Sequence, residues 1–307
     1  MKRILIVGYG DIARRLAPLL RNKYRVYGLI RNPGQMQELL RSGVQPVIGD
    51  LDHPASLKRL AGLAHIVIHL APPHPEGTTD RRSRNLAAAL RGRRKVSMLP
   101  QRLIYLSTSG VYGDCRGAIV HEERPPHPVT ARAARRLDAE RLLRNWGMRN
   151  AVNVSILRVP GIYATDRLPL ERLHKGLPVL LTEEDSHTNH INADDLAHAI
   201  AVSIWRSRPG RIYHCVDDSD MKMGDYFDLV ADHFHLPRPP RIPLLEAEKQ
   251  LPQTLLSFMR ESRRLDNTRM KKELRIRLQF PTIQSTLVQC ALTDQLSRRN
   301  SPSNTPR

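Results

Sequence analysis

The 307-residue sequence predicts an α/β fold, a doubly wound parallel sheet with a smaller C-terminal lobe. Three observations carry this. Short apolar runs alternate with helix-period segments through the first half, and a glycine-rich turn joins the first run to the first helical segment. After Arg158 the alternation loosens, and Pro160, Gly161, Pro169, Gly176 and Pro178 punctuate the chain.

The first strand is expected at 4–7, where Ile4, Leu5, Ile6 and Val7 are continuously apolar, as a strand covered on both faces requires. The helix after it, 11–21, repeats Ile12, Leu16, Leu19 and Leu20 at the spacing of one buried face. Further strands are expected at 25–30, 45–48, 66–70, 102–106 and 152–157, with helices at 33–41, 54–61, 80–94 and 131–146 between them. The run 66–70 is apolar except for His69, as in a central parallel strand. A helix at 193–206 and a strand at 212–216 resume the pattern. This gives a sheet domain over 1–160 to which 190–217 returns, and a smaller lobe from 161–189 and 218–290 with one clear helix at 224–234. The polar stretch 297–307 is expected to be a flexible tail.

Composition narrows the class. Hydrophobic residues are 40% and charged residues 26%, which excludes collagen-like and wholly disordered chains. No apolar run reaches membrane-spanning length, and Gly8 ends the N-terminal apolar stretch too early for a secretory signal. Cys115, Cys215 and Cys290 match no zinc or disulfide spacing, so reduced thiols, no metal and a cytoplasmic setting are expected. The net charge is +19, and 40 of the 49 basic residues are arginine. Such a charge suits anionic partners or reflects an arginine-rich source composition, and charge alone does not choose between them. Residues 81–149 hold 16 basic and 5 acidic side chains, yet aromatics are only 5% and no base-stacking motif accompanies them, which argues against nucleic acid.

The strongest local signal is Gly8-Tyr9-Gly10-Asp11-Ile12-Ala13, a G-x-G-x-x-A between a strand and a helix, the fingerprint of a Rossmann dinucleotide site. The first glycine allows the tight turn, the second lets a pyrophosphate approach, and the helix N-terminus faces the phosphates. After the second strand an NAD site carries an acid for the ribose 2′-hydroxyl, but this chain has Arg31, whose planar fork suits a 2′-phosphate. NADP is therefore favoured over NAD. Asp50 and Leu51 after the third strand, and Leu70 and Ala71 after the fourth, complete the expected cofactor residues; Asp50 suits an adenine amino group or a plain turn.

The stretches VGYGDIA, VIGDLDHPASL, VIHLAPP, LIYLSTSGVYGD, ILRVPGIYA and NHINADDLAHAI, in order from Met1 to about Trp205, resemble the short-chain dehydrogenase/reductase superfamily in its extended NAD-dependent epimerase/dehydratase branch. The resemblance implies a catalytic hydroxyl at Thr108, with Ser107 and Ser109 flanking it. It also implies a Tyr and a Lys four residues apart on the next helix. With Glu140 as anchor, those positions hold Arg132 and Arg136. Arg136 can still hold ribose or phosphate, whereas arginine delivers no proton near neutral pH. Tyr163 and His190 are the candidate replacement acids, and Asp194 and Asp195 are assigned to helix capping. In the extended branch the helices at 80–94 and 131–146 pair across a dimer interface. Their like charge here predicts a monomer or weak homodimer. The expected activity is oxidoreductase or epimerase chemistry on a small, anionic substrate such as a nucleotide sugar or other carbonyl compound. The alternative is a non-catalytic NADP(H) sensor.

Overall fold

The computed structural model describes residues 1–91 and 98–300. Its centre is a seven-stranded sheet. Five of its strands are β1 (Arg3–Val7), β2 (Arg25–Ile30), β3 (Gln45–Ile48), β4 (Ile66–His69) and β5 (Arg102–Thr108). Strands Asn153–Val159 and Ile212–His214 continue the sheet beyond β5, and β4, β1, β2 and β3 follow in that order on its other side. Every pairing is parallel. The order reverses beside β1, so a crevice opens at the C-terminal ends of β1 and β4, where ligands of such sheets bind.

Alternation along β1 sorts the core. Ile4 and Ile6 pack under helices α1 (Asp11–Leu20) and Ala193–Arg206. Leu5 and Val7 pack on the opposite face, against α3 (Arg81–Arg91) and α4 (Ala131–Asn150). Thr130 caps α4 by accepting from the Ala133 N–H, and Ala151 ends it at a left-handed φ of 53°.

Several expected boundaries change. The helix expected at 33–41 divides into a 3₁₀ turn, Pro33–Gln35, and α2 (Met36–Arg41), and the one expected at 54–61 is a 3₁₀ helix, Pro54–Leu60. Of the helix expected at 80–94, residues 92–94 lie outside the described residues, as do 301–307 of the expected tail. Residues 297–300 are not a loose tail: the backbone of helix Ile283–Asn300 runs through them. In the second lobe, Val179, Phe227, Val230 and Ile283 form a separate cluster. By contrast Met270, Leu274 and Ile276, assigned to that lobe by their position in the chain, pack into the sheet core.

Three histidines, His69, His190 and His214, are buried. Burial lowers their ring pKa values to about 3, about 4 and about 3, with Arg136 adding to the effect at His69 and Arg158 at His214. In the unfolded chain each titrates near 6.5, so the unfolded state binds more protons once the pH falls below that value. Each histidine then costs about 2 kcal/mol of stability between pH 7 and pH 5. Asp217, raised by burial to about 7, acts in the opposite sense over the same interval. The His69→Asn variant should therefore show a shallower loss of urea stability from pH 7 to pH 5, by about 2 kcal/mol. Parallel stability–pH curves for the variant and the wild type would show that His69 is not held neutral.

Candidate functional site

Two adjoining clefts lie at the C-terminal end of the sheet. The first, about 570 Å³, is lined by Gly8, Tyr9, Gly10, Asp11 and Ile12, by Arg31 after β2, by Asp50 and Leu51 after β3, by Leu70 and Ala71 after β4, and by Arg136 of α4. All the residues expected to hold a dinucleotide thus line one cavity.

Each has a local cause. Gly8 has φ +91°, and a β-carbon there would lie 2.7 Å from the Ala71 backbone, so β1 and the chain after β4 can meet only at a glycine. Gly10 is different. Its φ is −102°, and a β-carbon there meets nothing within 4 Å, so the position faces open space above the first turn of α1. That turn presents unpaired N–H groups. The cradle therefore fits a pyrophosphate. Arg31 is exposed, and among the described residues its guanidinium makes no hydrogen bond or ion pair, leaving its fork free for a ligand. Asp50 accepts from the Asp52 N–H at 2.9 Å, which fixes its carboxylate at the cleft edge. Arg136 donates to the Leu106 carbonyl at 2.8 Å and to the Tyr105 hydroxyl at 3.1 Å, so its position is set by β5.

The second cleft, about 430 Å³, contains Thr108, Ser109, Arg132, His190 and Tyr226 and is bordered by second-lobe residues including Phe258. Thr108 Oγ1 accepts from the Gly110 N–H at 3.2 Å, which turns the hydroxyl away from β5. Arg132 and Arg136, one helical turn apart on α4, divide between the clefts. The Arg132 guanidinium lies 4.3 Å from the Phe258 ring centroid and makes no hydrogen bond or ion pair among the described residues. Tyr163 lines neither cleft among those residues: it is buried and donates to Asp217 Oδ2 at 2.9 Å. Burial, with Asp217 beside it, pushes its phenol well above the ordinary range. His190 does border the second cleft, stacked 4.4 Å from the Tyr226 ring. At a pKa of about 4 it is a neutral imidazole at pH 7 and holds no proton to spare as an acid. Neither Asp194 nor Asp195 is the cap expected of it: Asn192 caps the helix by accepting from the Asp194 N–H at 2.8 Å, Asp195 accepts from the Gln279 and Phe280 N–H groups, and Asp194 pairs with Arg15.

Sequence reasoning did not single out Arg82, Arg167, Arg172, Arg263 or Tyr226. Arg82 borders the first cleft, donating to Asp52 at 2.6 Å and to the Pro72 and Pro73 carbonyls, and so ties two of its walls together. Arg172, 4.2 Å from the Phe227 ring centroid, and Arg263, which donates to Glu261 at 2.8 Å, border the second cleft. In a chain this rich in arginine, nothing in the local sequence separates these from solvated ones. Tyr226 had a legible signal, as an aromatic on the apolar face of the one clear late helix.

A model of the NAD dependent epimerase/dehydratase family matches residues 4–215. GDP-6-deoxy-D-mannose reductase of Pseudomonas aeruginosa is 27% identical over 144 residues, covering 42% of this chain and 47% of that protein, so the match spans about half of that relative. A conserved protein of unknown function from Silicibacter pomeroyi superposes with a TM-score of 0.80 at 26% identity, covering 96% of this chain and 100% of the other. UDP-glucuronic acid 4-epimerase from Bacillus cereus, solved with UDP-glucuronic acid and NAD, shares the fold at a TM-score of 0.72 and 18% identity, over 96% and 99% of the two chains.

Proposed function

The chain belongs to the NAD-dependent epimerase/dehydratase family, and on that premise we propose that it is an NADP(H)-dependent oxidoreductase or epimerase acting on an anionic, sugar-like carbonyl or hydroxyl substrate. The observation that carries the proposal is the pair of clefts: the dinucleotide fingerprint lines one, and the other adjoins it, sharing Ile162 and Arg167. When bound, the nicotinamide supplies or takes up hydride. The chain's own residues bind and orient. Thr108 offers a hydroxyl to a substrate oxygen, and Arg132 offers a cation where the family places a phenol. Four arginines, Arg132, Arg167, Arg172 and Arg263, border the second cleft against one carboxylate, Glu261, which supports a substrate carrying negative charge. The phenol there is Tyr226, which burial holds in its protonated form. The resemblance to a GDP-sugar reductase and a UDP-sugar epimerase supports a nucleotide sugar as that substrate.

Arg31 supports NADP over NAD. A charge-assisted hydrogen bond to the 2′-phosphate is worth about 1.5–3 kcal/mol, so NADPH should bind about tenfold or more tighter than NADH, and Arg31→Ala should abolish most of the preference. Calorimetric titration of both dinucleotides tests this, and equal wild-type affinities would overturn it. Arg132 in place of a phenol supports a second reading, a dinucleotide sensor without turnover. NADPH oxidation followed over a panel of nucleotide sugars, aldehydes and ketones separates the two. Turnover that falls in Thr108→Ala supports the enzyme, and tight NADPH binding with no turnover on the panel supports the sensor.

A further inference from the structure

Arg167 borders both clefts, and it reaches them from the second-lobe loop that follows strand Gly161–Tyr163. Its Nη1 donates to Asp11 Oδ2 at 2.6 Å. Asp11 occupies the first turn of α1, the place where a dinucleotide's pyrophosphate would meet the helix N-terminus. A carboxylate at that spot repels phosphate unless cations offset it. Arg15 supplies one, reaching Asp11 Oδ1 at 3.2 Å, but it is also held by Asp166 at 2.6 Å and by Asp194 at 2.9 Å. Arg15 is thus committed three ways, whereas Asp11 is the one ion-pair partner of Arg167 among the described residues, and the Arg167 side chain is 37% exposed. Burial pushes the Asp11 carboxyl up, but the bonds from Arg167 and Arg15 outweigh it and hold the group below its usual range.

We propose that Arg167 is a pyrophosphate-binding residue contributed by the second lobe, with Asp11 as the counter-ion from which the dinucleotide draws it. This rests on the dinucleotide reading of the first cleft. The phosphates and Asp11 compete for one guanidinium, so Asp11 sets the affinity.

Four forms of the full chain test this: wild type, Asp11→Asn, Arg167→Gln and the double variant. Each is titrated with NADPH and with 2′-AMP, which carries the adenosine half without a pyrophosphate. Arg167→Gln should weaken NADPH about tenfold, and Asp11→Asn should tighten it several-fold. In the Asp11→Asn background the loss caused by Arg167→Gln should persist, because the contact is with the ligand, and 2′-AMP affinity should be unmoved throughout. Should Arg167→Gln not fold, Arg167→Lys must keep NADPH affinity within a few-fold of the wild type. A Lys variant as weak as the loss expected for Gln would overturn the charge contact. An Arg167→Gln effect that vanishes once Asp11→Asn is also present would show that Arg167 acts only by holding Asp11, and an equal loss for 2′-AMP would show general damage to the cleft. Either result overturns the proposal while leaving the dinucleotide reading intact. A wild type that binds neither NADPH nor 2′-AMP overturns both.

Discussion

The Gly10→Val variant should fold with nearly wild-type stability and bind no dinucleotide, while Gly8→Ala should lose stability before binding can be asked about. The two glycines sit two residues apart in one motif, and the structure gives them opposite duties. At Gly8, φ is +91° and an added β-carbon lies 2.7 Å from both the amide nitrogen and the α-carbon of Ala71, so backbone must move. That combines left-handed strain of about 1–2 kcal/mol with disruption of the chain that β4 delivers to the cleft, and several kcal/mol in total is expected. At Gly10 the backbone is ordinary extended chain, and the β-carbon points into open space. The β-carbon of a valine there meets no protein atom within 4 Å, and its methyl groups, placed in the cradle above the first turn of α1, should lower dinucleotide affinity about a hundredfold. Urea melts and NADPH titrations of both variants check this. A Gly10→Val protein that still binds NADPH would place the phosphates elsewhere.

That contrast shows what a sequence discloses and what it withholds. The G-x-G-x-x-A spacing locates the turn, and Arg31, Asp50 and Ala71 follow because each stands at the C-terminal end of a strand, where the topology must deliver it to the same crevice. Those positions are legible because strand, turn and helix are written within a few residues of one another. Arg82, Arg167 and Arg263 reach the clefts only through tertiary packing. Arg82 ties the turn after β3 to the chain after β4, and Arg167 crosses from the second lobe to the first turn of α1. Arg132 and Arg136 stand where the resemblance implies a Tyr and a Lys, but their division between two clefts depends on where α4 crosses the sheet. Residues 270–276 are similarly opaque. They follow lobe segments in the chain, but Met270, Leu274 and Ile276 supply apolar surface to the sheet core.

Arg158→Met should destabilise the protein by about 3–5 kcal/mol, the cost of leaving one member of a buried ion pair without its partner. Arg158 is 2% exposed, and it donates to Glu140 Oε2 at 2.7 Å and Oε1 at 3.1 Å. The pair does not stand alone. Ser107 donates to Glu140 at 2.5 Å, Arg158 donates to the Tyr112 hydroxyl at 2.6 Å, and that hydroxyl lies 2.6 Å from His214 Nε2. His214 Nδ1 in turn meets the Asp266 carbonyl at 3.0 Å, which makes Nδ1 the protonated nitrogen and leaves Nε2 to accept from Tyr112. With Arg158 gone, Glu140 is left in the core without the cation that offsets its burial. The double variant Glu140→Leu, Arg158→Met removes both charges and should recover most of the loss, because two apolar side chains need no partner. The network also joins the walls of the site. Ser107 precedes Thr108 on β5, Glu140 lies one turn beyond Arg136 on α4, and Arg158 is two residues before Pro160, which borders the second cleft. The double variant should therefore be stable yet hold Thr108 less firmly. Urea melts of the three proteins, read beside their turnover, check both halves. A single variant as stable as the wild type would mean that Glu140 finds another partner.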